Sequence, residues 1–299
     1  MLVSELQWLI TGAGGMLATD VERVLQGHGA RVRAMPKESL DITDPDEVAR
    51  SLAGFDVVVN CAAYTAVDAA EDDEALAALV NATGPAVLAR ACVVAGVKLI
   101  HISTDYVFDG DASEPYKESA PVDPQGAYGR TKAAGERAVI DSAGDYLIVR
   151  TAWLYGAAGP CFPKTIAKAG AERGALNVVD DQIGQPTWTH DVAEYIVDLV
   201  EAEVPVGIYH GTSSGQASWF AFAQDICVSA GLGDIVSPVP SSAYPRPAVR
   251  PSWSVLAHGA HESRGVDSIG DWRERWRAAA PEVLGLEDSD LPESAARPD

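Results

Sequence analysis

Tyr128 and Lys132 stand four residues apart in the segment Tyr128-Gly129-Arg130-Thr131-Lys132. On a helix, positions i and i+4 share a face, so the phenol and the ammonium would project together. A free phenol has a pKa near 10, and moving it to about 7 takes roughly 4 kcal/mol of preferential stabilisation of the phenolate. A fixed ammonium, helped by a bound nicotinamide cation, can supply that. A tyrosine so tuned can protonate a carbonyl oxygen while hydride arrives at the carbon. A third group would come from the end of a neighbouring strand. Thr104, in Ser103-Thr104-Asp105, follows the apolar run Lys98–Ser103 and could hydrogen-bond the same carbonyl.

A second constellation points to the source of the hydride. Gly12-x-x-Gly15-x-x-Ala18 follows the short apolar run Gln7–Thr11 and opens a helical pattern. A side chain at Gly12 would block the tight turn. Gly15 lets backbone approach a pyrophosphate at the helix N-terminus, and Ala18 is small enough for close helix–strand packing. No Gly-Lys-Ser/Thr follows, so this is not a nucleoside-triphosphate loop. An NAD site usually carries an acid at the end of the second strand. Here that region reads Arg33-Ala34-Met35-Pro36-Lys37, with two bases and no acid. The reading is a pocket that takes NADPH at least as well as NADH; the alternative is that Arg33 and Lys37 are solvated surface charges.

These groups need a scaffold. Strand patterns at Gln7–Thr11, Ala30–Met35, Asp56–Asn60, Lys98–Ser103 and Tyr146–Thr151 alternate with helical ones at Met16–Leu25, from Pro45 to about Leu52, Asp68–Ala95 (interrupted at Gly84-Pro85) and Tyr128–Ser142. Asp44-Pro45-Asp46-Glu47 supplies an N-cap, a proline at the first helical position and an acid at the third. Such alternation predicts an α/β fold: a doubly wound parallel (Rossmann) sheet binding ligands beyond the carboxyl ends of its strands. The second half is less regular: strand-like Asn177–Val179 and Ile208–His210 flank a helix at Asp191–Ala202, another starts at Ser218, and a last lies near Asp271–Ala280. The domain reading is therefore 1–152, plus the helix near 190–203, for the dinucleotide, a smaller C-terminal substrate-binding lobe over the rest of 153–280, and a disordered acidic tail over 281–299.

At this point the segments resemble a known family. ITGAGGML (Ile10–Leu17), STDYVFDG (Ser103–Gly110), YGRTKAAGE (Tyr128–Glu136), RTAWLYG (Arg150–Gly156) and DDQIGQPT (Asp180–Thr187) together resemble the extended short-chain dehydrogenase/reductases. The likeness is to those that reduce the C4 keto group of dTDP-linked 6-deoxysugars. It runs from about Gln7 to Ala279 and implies reduction of dTDP-4-dehydro-L-rhamnose to dTDP-L-rhamnose with NADPH or NADH. It further implies that Gly12, Gly14, Gly15, Met16 and Leu17 line the cofactor phosphates. Asp41 and Ile42 would flank the adenine, and Ala62, Ala63, Tyr64 and Thr65 would run along the nicotinamide ribose. Tyr128 would be the proton donor, Lys132 its ribose-binding partner and Thr104 the orienter. Thr104, Asp105 and Trp153 would contact the sugar, with Phe162, Lys164, Gln185, Thr187 and Arg246 toward the nucleotide. The family's third loop glycine is Ala18 here, its usual Asn-Phe is Cys161-Phe162, and Ala257-His258-Gly259-Ala260 lacks its usual Asn and Lys. These departures bear on the sugar nucleotide rather than on the reduction.

Two other readings remain. A 4-ketoreductase for another dTDP-deoxysugar, such as an antibiotic sugar, would carry the same residues. A regulatory subunit of the same fold would not need Thr104, Tyr128 and Lys132 intact. Related dehydratases need Asp-Glu after the threonine, where this chain has Asp105-Tyr106.

Composition bounds the partners. With 43 acids against 22 bases the formal charge of the 299-residue chain is −21, which argues against nucleic-acid and membrane-surface binding. No apolar run approaches a transmembrane length, and Met1-Leu2-Val3-Ser4-Glu5 has no basic region of a signal peptide, so the reading is a cytoplasmic protein. Cys61, Cys92, Cys161 and Cys227 are spaced as free thiols, and no residues have metal-ligand spacing. Mg²⁺ at an acidic homodimer interface is left open. Because both ligands are anionic, local groups must oppose the field: the N–H groups of Gly14–Met16, Lys132, Arg33, Lys37, Lys164 and Arg246.

Overall fold

Four short, nearly continuous apolar runs decide the architecture, since successive side chains of a strand point to opposite faces and such a run buries both. Trp8, Ile10, Val57, Val59, Ile100, Leu147 and Val149 enter one core cluster, while Leu9, Val58, Leu99 and Ile148 enter another. The computed structural model describes residues 2–286. Its first half runs β1 (Gln7–Thr11), α1 (Met16–Gly27), β2 (Arg31–Met35), α2 (Pro45–Ser51), β3 (Val57–Asn60), α3 (Val67–Asp72), α4 (Glu74–Ala78), a π-turn (Leu79–Thr83), α5 (Gly84–Ala95), β4 (Lys98–Thr104), α6 (Ala127–Asp141) and β5 (Tyr146–Thr151). The second half runs β6 (Leu154–Tyr155), α7 (Phe162–Arg173), β7 (Leu176–Val179), β8 (Ile183–Gly184), β9 (Thr187–Trp188), α8 (Thr189–Glu201), β10 (Gly207–His210), β11 (Ala217–Ser218), α9 (Trp219–Ser229), β12 (Val236–Val239), α10 (Gly259–Glu262) and α11 (Trp272–Leu284).

Six strands form one sheet in the order β10-β5-β4-β3-β1-β2, and every pairing is parallel. Helices α1 and α8 cover one face and α2, α5 and α6 the other. A third core holds Tyr155, Phe222, Trp272 and Trp276 between α7, α9 and α11.

Four local readings change. Ile208–His210, assigned from sequence to the smaller lobe, is the outer strand of the main sheet, because Ile208 pairs with Ile148 and His210 with Arg150. The long helical region breaks at Asp73, not at Gly84-Pro85. Asp73 leaves helical geometry (φ −139°, ψ 67°) and its side chain accepts the Leu76 N–H to cap α4. At Gly84 the N–H instead reaches the Leu79 carbonyl in the π-turn, and Pro85 takes an early helical position that needs no donor. The stretch Glu74–Ala95 is long and apolar enough to cross a membrane by composition, but it buries Leu88, Ala89 and Cys92 against the sheet. Finally, α11 passes Ala280 and reaches Leu284, because Val283 packs into the third core. Residues 287–299 of the expected tail lie outside the described residues.

Candidate active site

All the strand ends named in the sequence reading point to one edge. Gly12–Gly15 follow β1, Cys61–Thr65 follow β3, Thr104 ends β4 and Trp153 follows β5. Gly12 has φ +75°, and an added Cβ would lie 2.7 Å from the Ala62 nitrogen. Gly14 has φ +86° with nothing within 4 Å of such an atom. Gly15 precedes α1 with no side-chain cap, so the N–H groups of the first turn remain available to an anion. That open, backbone-lined cradle at a 12-residue helix fits the pyrophosphate of a dinucleotide.

Helix α6 is seated by its glycines. A Cβ at Gly129 would lie 2.1 Å from the Tyr106 carbonyl oxygen, and one at Gly135 would lie 2.1 Å from the Asn81 carbonyl oxygen. The helix therefore docks directly on the Asp105–Val107 turn and on the π-turn. That docking brings the Tyr128 ring edge-on to Tyr106 at 5.6 Å and its phenol to the Thr104 hydroxyl. Asn81 completes the seat: its side-chain oxygen accepts the Tyr64 N–H at 2.8 Å and its amide donates to the Thr131 hydroxyl at 3.2 Å.

Electrostatics differ from the expectation. Burial pushes the Tyr128 phenol up to about 12; the Thr104 hydrogen bond pulls it down, and the Asp105 charge adds to the rise. Lys132, 2% exposed, donates its ammonium to the Ile102 carbonyl at 2.7 Å. Burial lowers its pKa to about 8, opposed by Glu136. In the protein alone, then, the ammonium does not bring the phenol toward neutrality. Thr104 donates its hydroxyl proton to Asp105 at 2.9 Å and accepts the Tyr106 N–H at 3.2 Å. Asp105 is buried, which raises its carboxyl to about 6, opposed by the neighbouring Ser254 hydroxyl and by the hydrogen bond from Thr104.

Beneath Lys132 lies a buried pair. Arg150 donates to both Glu136 oxygens, at 2.8 and 2.6 Å, and Ser103 donates to the same carboxylate at 2.6 Å.

The remaining expected residues divide. Tyr64 packs with Tyr128 on Ala70, Ala77 and Ala127. Asp41 is held low by the backbone and hydroxyl of Thr43, and Ile42 is buried. Arg33 is exposed within β2, opposite Leu9; Lys37, beyond the strand end, acts on Asp41. Gln185 and Thr187 are not open to a ligand: Gln185 is bonded to Leu256 and Thr212, and Thr187 to Gln185 and Ser213. Lys164 donates to the Ala157 and Gly159 carbonyls, and Arg246 is exposed. Trp153 stacks on Trp219, and Phe162 lies against Trp219. Sequence reasoning missed Glu136, Gly129, Gly135, Ser254 and Trp219. The first three stood inside the recognised YGRTKAAGE segment.

A tyrosine and lysine on one helix, a threonine at the adjacent strand end and a glycine cradle across the sheet edge mark the extended short-chain dehydrogenase/reductases as the class this chain conforms to. More particularly, the chain belongs to the family described as RmlD substrate binding domain, which it matches over residues 6–284. A Streptomyces griseus dTDP-4-dehydrorhamnose reductase is 44% identical over 287 residues, 93% of this chain and 94% of the relative. A Streptomyces antibioticus protein named "Probable dTDP-4,6-dihydroxy-2-methyloxan-3-one 4-ketoreductase" is 44% identical over 292 residues, 94% of this chain and 97% of the relative. The crystal structure of dTDP-4-dehydrorhamnose reductase from Bacillus anthracis in complex with NADP aligns with TM-score 0.88 and 36% identity, covering 92% of this chain and 98% of that one.

Proposed function

We propose that this chain is an NADPH-dependent reductase that converts the C4 keto group of dTDP-4-dehydro-L-rhamnose to the alcohol of dTDP-L-rhamnose. The observation that carries the reading is the convergence of Tyr128 and Thr104 produced by the close docking of α6. A reduced nicotinamide supplies the hydride when bound. Gly12, Gly14, Gly15, Met16 and Leu17 would hold its phosphates, and Asp41, Ile42, Ala62, Ala63, Tyr64 and Thr65 would line its length. Arg33 and Lys37 would favour the 2′-phosphorylated form over NADH.

Tyr128 would give its proton to the developing C4 alkoxide. Thr104 would orient the carbonyl, and for that its hydroxyl must turn from Asp105 toward the ligand. Lys132 would bind ribose and hold positive charge beneath the phenolate left behind, lowering its free energy. The span 1–152, with the helix near 190–203 and β10, would bind the dinucleotide, and the second lobe the sugar nucleotide. Trp153 and Phe162, both packed against Trp219, are the aromatic groups expected there, while Gln185 and Thr187 would shape the wall from behind rather than touch the ligand.

A second reading, reduction of another dTDP-4-keto-6-deoxysugar, is favoured by the identity to the Streptomyces antibioticus relative. The deciding experiment offers a panel of dTDP-4-keto sugars with NADPH and with NADH, then assigns the C4 configuration of the product. Turnover confined to a sugar other than 4-dehydrorhamnose would select the second reading, and a strong NADH preference would reject the roles of Arg33 and Lys37.

A further inference from the structure

Trp153 is expected to offer a flat face to a sugar, yet neither face of its indole is open. A Cβ at Gly184 would lie 2.5, 2.7 and 2.7 Å from Cε2, Cζ2 and Nε1 of that ring. Near-equal distances to three adjoining ring atoms put the Gly184 backbone over the ring rather than off its edge. The other face carries Trp219, stacked with centroids 3.5 Å apart and planes 4° from parallel.

The three groups differ in freedom. Gly184 is backbone in β8, paired to Ala217 of β11, and cannot step away alone. Trp153 has φ +45°, a region that bulky side chains rarely adopt and that persists only where surroundings enforce it. Its backbone is held by the fold, and its indole lies between the Gly184 backbone and Trp219. Trp219 is the first residue of α9 and is half-buried. Its outer contact is Phe162, tilted 56° at 4.5 Å. Of the three, Trp219 has neither a strand pairing nor a positive φ to hold it, and its side chain can leave by rotation.

We propose that Trp219 is a displaceable cover on Trp153, which leaves that indole when a pyranose docks through its C–H face, and so sets the affinity for the sugar half of a sugar nucleotide. The inference rests on the reductase reading and adds a specificity-determining residue to it. The geometry makes Trp219 a competitor of the sugar: each docking event breaks one indole–indole stack before it forms one indole–pyranose contact.

The test uses the full chain with two probes, dTDP-L-rhamnose and dTDP, which lacks the sugar. Two stacked indoles couple their transitions and give an exciton couplet in the far-ultraviolet circular dichroism. Trp219→Phe removes that couplet from the free protein, which identifies it. Saturating dTDP-L-rhamnose is expected to abolish the couplet of the wild-type chain, and dTDP to leave it. By calorimetry, Trp219→Ala is expected to bind dTDP-L-rhamnose about three- to tenfold more tightly, the size of one aromatic pair, with dTDP affinity within about twofold of wild type. Trp219→Phe keeps a ring over Trp153 and is expected to fall between, which carries the comparison if the alanine variant does not fold. A couplet that survives saturation by dTDP-L-rhamnose, or a Trp219→Ala chain that binds it more weakly at unchanged dTDP affinity, overturns the inference and leaves the reductase reading standing. Failure of the wild-type chain to bind either nucleotide overturns both.

Discussion

Glu136→Gln separates the electrostatic role of the buried pair from its structural one. Glu136 is 3% exposed and Arg150 1%. Glu136 lies one helical turn beyond Lys132 and opposes the burial that lowers that ammonium to about 8. The amide keeps the shape and removes the charge. At an effective dielectric near 20, two charges about 6 Å apart interact by roughly 3 kcal/mol, or about two pH units. Arg150, bonded to both carboxylate oxygens, cancels part of that field, leaving a shift on the order of one unit. The sign follows from the charged form being the working one. With a lower pKa, Lys132 loses its proton at lower pH, so the alkaline limb of kcat/KM moves from about 8 toward about 7 while the acid limb stays. The same substitution leaves the Arg150 guanidinium buried without its counter-ion, which costs about 3–5 kcal/mol of stability. Steady-state kinetics between pH 5.5 and 9.5, with thermal melts alongside, would read both effects. Glu136→Asp should return the limb toward its wild-type position even if some stability is lost. A Glu136→Gln enzyme that melts early but keeps its alkaline limb would refute electrostatic support of Lys132.

Three further outcomes are expected. Tyr128→Phe should reduce turnover by about 10² or more while NADPH binding, followed by nucleotide fluorescence, holds; unchanged turnover would remove Tyr128 as proton donor. Asp105 titrates near 6 in the fold against 3.8 free, so between these values the folded chain keeps a proton that the unfolded chain releases. Stability from that proton is lost as pH rises through 6, a cost of about 3 kcal/mol at neutrality. Asp105→Asn should therefore stabilise the protein in denaturant melts at pH 7.5 and much less at pH 4; equal gains at both would contradict the assignment. Gly129→Ala forces a Cβ into the Tyr106 carbonyl, and a shift of α6 near 1 Å should lower kcat/KM about 10²-fold. An alanine variant with wild-type kinetics would show that α6 docking is not what sets the site.

What the sequence made legible was what repeats or is local. Strand–helix alternation announced the parallel sheet, and Asp44 caps α2 through the Asp46 and Glu47 N–H groups as its spacing required. Convergence of Tyr128 with Thr104 was also readable, since one lies on a helix and the other ends a strand. Long-range reciprocity was not. Ile208–His210 looks the same in a lobe as in a sheet until Ile148 is found beside it. Gln185 and Thr187 read as ligand contacts because polar side chains in a recognised segment carry no mark of which partner they satisfy. Their bonds go to Leu256, Thr212 and Ser213, up to 71 residues away. Trp219 gave no signal either, as an aromatic residue beginning an amphipathic helix is ordinarily core.

The place of β10 matters for how the chain comes off the ribosome. When Thr151 has emerged, five strands exist, yet the sheet still lacks its β10 edge. The face holding Ile100, Leu147 and Val149 also still lacks Val192, Ile196, Leu199 and Tyr209. Those residues arrive only after β6, α7 and β7–β9 have been synthesised. Nascent chains therefore carry a sheet face covered by α1 without α8 through dozens of residues of elongation. This is the interval in which a chaperone that binds extended apolar surface would engage them, and in which a stalled ribosome would release an aggregation-prone fragment rather than a folded domain.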